Sequence, residues 1–187
     1  MPMLGGGIDS ERVAKWFVLA AVFNALMALV FLAPFLIPAP GGATSDLFSL
    51  SFAIGSFPGT WMLIAWIVFL IVGVLGMAGW GFIYYLHSKL WGRRSANKLF
   101  SLGHLGLTIA GVYVATIFLF LAGFIGGRAT LPPTGCYVLI EGCLNTGIAV
   151  VSTLIAWTVI PSAIGMVIGG LGTLMGFLNI ILISRQG

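Results

Sequence analysis

Two histidines, two cysteines and four carboxylates are the side chains of this sequence best suited to ligation, redox chemistry or proton transfer. His87 and His104 sit at the facing ends of two neighbouring apolar segments. Antiparallel helices would bring them to similar depth, the arrangement a bis-histidine haem requires. The plainer reading of the same pair is two imidazoles at headgroup level, solvated or bonded to backbone. Cys136 and Cys143 lie in Leu131-Pro-Pro-Thr-Gly-Cys-Tyr-Val-Leu-Ile-Glu-Gly-Cys. In an oxidising compartment they would close a small loop as a disulfide, and otherwise they stand as free thiols. A metal held by two cysteines usually recruits histidines nearby, and none is near in sequence.

Other chemistry is poorly served. Asp9, Glu11, Asp46 and Glu141 all fall outside the apolar segments, so none supplies the buried carboxylate on which proton relays and cation sites depend. The polar residues within those segments, Asn24, Thr108, Thr116, Thr153 and Thr158, are uncharged and suited to helix-to-helix hydrogen bonds. No Ser/His/Asp or Cys/His set converges on one membrane face to activate a nucleophile. Gly5-Gly6-Gly7 lacks the strand and helix context of a phosphate loop and reads as a flexible tail. The chain is thus expected to be no enzyme by itself and to carry no cofactor of its own.

The elements that position these residues follow from composition. With 60% hydrophobic and 6% charged residues among 187, and a mean hydropathy of +1.16, the chain has too little polar surface for a water-soluble globule. Its net charge of +4 comes from basic residues scattered at segment ends, with no stripe to neutralise phosphates, so nucleic acid is not an expected partner. A hydrocarbon core about 30 Å thick needs about 20 apolar residues. Spans are predicted at about 13–37, 60–86, 99–125 and 157–183, making one four-helix transmembrane domain over residues 1–187. The first apolar run, Trp16 to Ile37, exceeds a signal sequence's apolar stretch and reads as a retained span. Continuous apolar runs exclude a barrel, so the fold class is an all-α polytopic membrane protein.

Basic residues orient it. Arg12 and Lys15 precede the first span, Lys89, Arg93, Arg94 and Lys98 lie between the second and third, and Arg185 follows the fourth. The other two loops hold only Arg128, so both termini are expected in the cytoplasm and the protein in the plasma membrane. The fourth apolar region is too long for one crossing and contains Pro161. Either the helix extends beyond the membrane with a proline kink, or the stretch before Ala156 lies along the outer interface and the span runs from about Trp157 to Ile183. The second is the preferred reading. Gly165, Gly169, Gly170, Gly172 and Gly176 give this span a face that another helix, of this chain or of another subunit, can approach closely. Trp16, Phe17, Trp61, Trp80, Tyr84, Tyr85 and Trp91 read mainly as interfacial anchors, whereas Trp66 and Trp157 fit such a belt less well.

From Gly59 to Arg93 the chain resembles the tenth helix of the catalytic subunit I of haem-copper terminal oxidases. Thr60, Trp61, Ala65, Phe69, Tyr84, Tyr85, Lys89, Gly92 and Arg93 fall on identical or similar family positions. With one residue inserted, His104, Leu107, Thr108, Gly111, Gly123, Gly126 and Arg128 follow the family's eleventh helix, and the fourth span takes the place of the twelfth. The family's haem-ligating histidines correspond here to Trp66 and Val68, neither of which can bind iron in that way. The resemblance therefore implies a haem-less relative of that core, with Trp66 filling space a haem edge would take. It would be a non-catalytic membrane subunit of a respiratory oxidase or related electron-transfer complex, packed among lipid and other subunits through its glycine-rich helix. The rival readings are a small haem-binding electron carrier using His87 and His104, and a free-standing four-helix transporter or channel for a neutral solute.

Overall fold

The computed structural model describes residues 7–36, 59–91, 95–129 and 141–185. A short strand β1 (Gly7–Asp9) leads into helix α1 (Ser10–Leu36). The second crossing is built from α2 (Thr60–Val68), a π-helical segment π1 (Phe69–Gly76) and α3 (Met77–Trp91). Strand β2 (Ser95–Asn97), α4 (Lys98–Ala129) and α5 (Glu141–Ser184) complete the order. Four stretches are long and apolar enough to cross a membrane: Ser10–Ala33, Thr60–Leu90, Lys98–Gly126 and Ile155–Ser184. The protein is all-α and multi-pass, with spans within a few residues of those predicted. Asp46, Arg93, Arg94 and Cys136 lie outside the described residues, as do the side chains of Glu141 and Cys143, so the proposed disulfide does too.

Three local features depart from the sequence reading. Gly7, assigned to a flexible tail, belongs to a two-stranded antiparallel ladder in which Gly7, Ile8 and Asp9 pair with Asn97, Ala96 and Ser95. Each strand ends in a helix cap. The Asp9 carboxylate accepts from Glu11 N at 3.0 Å, and the Asn97 side-chain oxygen from Leu99 N and Phe100 N at 2.9 and 3.2 Å. Such caps are worth about 1 kcal/mol apiece.

The second departure is π1. Asn24 donates its amide to the Gly73 carbonyl at 2.6 Å, and its own oxygen accepts from the Tyr113 hydroxyl at 3.0 Å. The bonded carbonyl lies within the widened turns of π1, and side chains that reach into a helical ladder are a recognised accompaniment of such distortions.

The third is the length of α5. Its 44 residues run unbroken, about 66 Å at 1.5 Å each, through Pro161. The same helix thus includes the stretch before Ala156, while the segment apolar enough to cross is Ile155–Ser184. Around the missing proline donor, the Thr158 hydroxyl bonds the Ile155 carbonyl at 2.6 Å and the Ser162 hydroxyl bonds that of Thr158 at 2.9 Å. The carbonyl that Pro161 leaves without its helical donor is that of Trp157, and these two hydroxyls bond neighbouring carbonyls instead.

The packing divides into two compact units. The first comprises the described residues of Met1–Met27, Phe69–Tyr113 and Gly165–Gly187; the second those of Ala28–Val68 and Val114–Ile164. In the first, Val13, Ala14, Phe17, Ala21, Met77, Tyr84, Ala96 and Ile183 form a buried core. Here too the glycine face of α5 meets its partner, α4 of the same chain. A Cβ on Gly111 would land on the Gly169 backbone and the Gly165 carbonyl, one on Gly172 would strike Thr108, and one on Gly176 would overlap the His104 ring. Small residues let two backbones approach where lipid supplies no hydrophobic drive between helices. In the second unit Met62 is buried against Leu32, Phe120 and Phe124, and a Cβ on Gly123 would strike the Met62 backbone.

Gly170, on α5 but with open space around it, is the control for this seam. Gly111→Leu is expected to cost about 1–3 kcal/mol by overpacking and Gly170→Leu much less. Thermal unfolding in mild detergent, followed by circular dichroism, measures the difference.

Candidate functional site

The polar centre of the first unit is built on four segments that meet by side chains. Asn179 of α5 is fully buried and uses both ends of its amide. Its nitrogen donates to the Tyr84 hydroxyl at 3.0 Å and to the Ser101 hydroxyl at 2.9 Å, while its oxygen accepts from Asn97 N at 3.2 Å. The Tyr84 hydroxyl lies 3.3 Å from His104 Nδ1. Which of the two atoms donates depends on the imidazole tautomer.

His104 is fully buried in an aromatic setting. Phe17 lies 4.7 Å from it between ring centroids, Trp80 4.4 Å edge-on and Tyr84 6.0 Å, with Gly176 of α5 closing the remaining side. His104 is thus not solvated. His87, three residues beyond Tyr84 on α3, is buried as well, at 5% exposure. The anchor reading also fails for Phe17 and Tyr84, both fully buried, and Trp80 stacks inward on His104 and Phe177. Tyr85 remains half exposed with Lys89 Nζ 5.8 Å above its ring, as a belt residue should.

Other predicted polar residues divide. Asn24 makes the helix-to-helix bonds expected of it, whereas Thr158 bonds within its own helix and Thr153 faces outward. Glu11, expected outside the spans, opens α1 and pairs with Lys89 of α3 at 2.8 Å. Both partners are partly exposed, so the pair adds at most about 1 kcal/mol. Asn179, Ser101 and Tyr113 were not anticipated. An asparagine four residues from the end of an apolar run, Phe177-Leu-Asn-Ile-Ile-Leu, was the available signal.

Two hollows border these elements. One, in the second unit, is a crevice of about 160 Å³ lined by Phe31, Ala65, Trp66, Thr116 and Phe120. Trp66 is held there by its indole N–H, which donates to the Ala28 carbonyl at 3.0 Å. The other is a groove of about 720 Å³ along α1 and α3 in the first unit, from Glu11 to Leu19 and from Ala78 to Tyr85. Neither is lined by His87 or His104. Among the described residues no three His, Cys, Asp or Glu side chains gather where they would hold a metal ion.

No protein-family model, no curated protein and no solved structure matches this chain. The arrangement itself is a packed, hydrogen-bonded core joining α3, α4, α5 and β2. Its chemical content is cohesion: each amide or hydroxyl bond buried away from water nets about 1 kcal/mol, and an orphaned partner costs about 1–3. Asn179→Leu, which strands two hydroxyls and one backbone N–H, is accordingly expected to lower stability by more than Tyr84→Phe, which removes one hydroxyl. Thermal unfolding in detergent, read through Trp80 fluorescence beside the centre, distinguishes the two.

Proposed function

We propose that this chain is a non-catalytic integral membrane subunit of a respiratory terminal oxidase or a related electron-transfer complex, seated in the plasma membrane with both termini cytoplasmic. The observation that carries the reading is Trp66. At a position that resembles a haem-ligating histidine of the oxidase core, the chain places an indole bonded to its own backbone at Ala28 and bordering a crevice of about 160 Å³. An indole nitrogen that donates a hydrogen bond has no lone pair to offer iron, which supports reading these helices as a haem-less relative of that core. The first unit is consistent with this, since the Asn179 amide bonds the Tyr84 and Ser101 hydroxyls and Tyr84 reaches His104.

The reading changes in one respect from the one its glycines suggest. The glycine face of α5 is taken by α4, so contact with neighbouring subunits and lipid falls to the outward residues of α5, among them Val167, Leu171 and Leu174. Orientation rests on the basic residues Arg12, Lys15, Lys89 and Lys98, which the β1–β2 ladder gathers with the described start of the chain.

Purification of the tagged chain from its native membrane in mild detergent tests the assignment. Haem-bearing subunits and their Soret absorbance are expected to accompany it, while the isolated chain is expected to be colourless. Recovery as a lone homo-oligomer with no haem protein would overturn the proposal. For orientation, green fluorescent protein fused after Gly187 should fluoresce and alkaline phosphatase fused there should stay inactive.

A further inference from the structure

We propose that the groove along α1 and α3 binds one acyl chain of an anionic phospholipid, with the headgroup phosphate held at Lys15. The inference stands on this groove alone and does not depend on the oxidase reading.

The groove has a polar mouth and an apolar length. Glu11, Lys15 and Tyr85 lie at one end, and Ala14, Val18, Leu19, Ala78, Gly81 and Phe82 line the rest. Its depth comes from small residues where α1 and α3 run closest: a Cβ on Gly81 would meet Val18 at 3.0 Å and the Ala14 carbonyl at 3.2 Å. At about 720 Å³ it falls within the range of about 300–1,000 Å³ that small-molecule sites occupy.

Length selects the occupant. From Glu11 to Leu19 the helix rises about 12 Å, close to the depth of one leaflet of a hydrocarbon core about 30 Å thick. The groove's lining ends at Leu19 and Ala78, within the depth of one leaflet. A lipid tail ends where the groove ends.

Charge selects the headgroup. At the mouth the Glu11 carboxylate is engaged by Lys89 at 2.8 Å, and Lys89 also lies over the Tyr85 ring at 5.8 Å. Lys15, one turn further in and exposed, faces the groove. Lys15 and Lys89 against the single carboxylate of Glu11 leave a net positive mouth. A basic residue near the membrane surface attracts anionic lipid by about fivefold in binding.

The test uses the full chain reconstituted into vesicles of dioleoylphosphatidylcholine containing a minor share of dioleoylphosphatidylglycerol. After extraction in mild detergent, native mass spectrometry counts the lipids retained. The chain is expected to keep phosphatidylglycerol in preference to phosphatidylcholine. Lys15→Gln should lower that preference about fivefold, and Arg12→Gln, whose side chain does not line the groove, should lower it by less. Ala78→Phe, which fills an exposed position of the groove, should remove the retained lipid. Equal retention of the two lipids, or equal losses in the Lys15 and Arg12 variants, would overturn the proposal. So would an Ala78→Phe chain that keeps its lipid but changes oligomeric state, because a helix would then be the occupant. Should Ala78→Phe fail to fold by circular dichroism, the contrast between the two surface variants decides.

Discussion

A hydrocarbon solvent accepts no hydrogen bonds, and the structure of this chain is organised around that refusal. Polar groups carried into the membrane are costly unless they find partners inside the protein, and most here do, while the buried His104 Nε2 and Thr108 hydroxyl have no hydrogen-bond partner among the described residues. Asn179 shows how one residue meets the demand: its amide satisfies Tyr84, Ser101 and the backbone of Asn97, and through Tyr84 it reaches His104. An asparagine in lipid would be costly, whereas one with this set of partners fastens three helices and a strand together. Asn24 repeats the solution elsewhere in the same unit, joining α1 to the Gly73 carbonyl and to Tyr113.

Those bonds need backbones held close, and the glycines of α4 and α5 supply the closeness. Gly111 against Gly169 brings the two helices near enough for the imidazole of His104 to lie over Gly176 and for Thr108 to lie over Gly172. Packing and hydrogen bonding are therefore not separate contributions in this unit. In the second unit the same economy uses an indole, Trp66, on the Ala28 carbonyl, with Phe31 and Phe120 paired at 5.8 Å beside it.

Much of the fold was legible in the residues because length and apolarity alone determine which segments can cross a bilayer. The four spans, the inward use of Asn24 and the packing role of Gly165, Gly169, Gly172 and Gly176 all followed from types and spacing. What did not follow were features decided by partners distant in sequence. Widening of the helix at Phe69–Gly76 accompanies a bond from an asparagine 49 positions earlier, and pairing of Gly7–Asp9 depends on residues reached two crossings later. Phe17, Trp80 and Tyr84 resembled interfacial aromatics because their distance from the span ends is right. Only the angular position of each on its helix turns them toward His104, and an evenly apolar helix carries little trace of that angle.

The ladder between Gly7–Asp9 and Ser95–Asn97 bears on how the chain is made. During synthesis the first strand leaves the ribosome long before its partner and waits unpaired while two helices are inserted. Both strands must then be on the same side of the bilayer, so the ladder forms only if the second helix has returned the chain across. A first helix inserted the wrong way round relative to its successors would leave β1 and β2 on opposite sides, unable to pair, and the Asn97 cap without its strand. The six residues thus act as a late check on topology, rewarding only the correctly threaded hairpin.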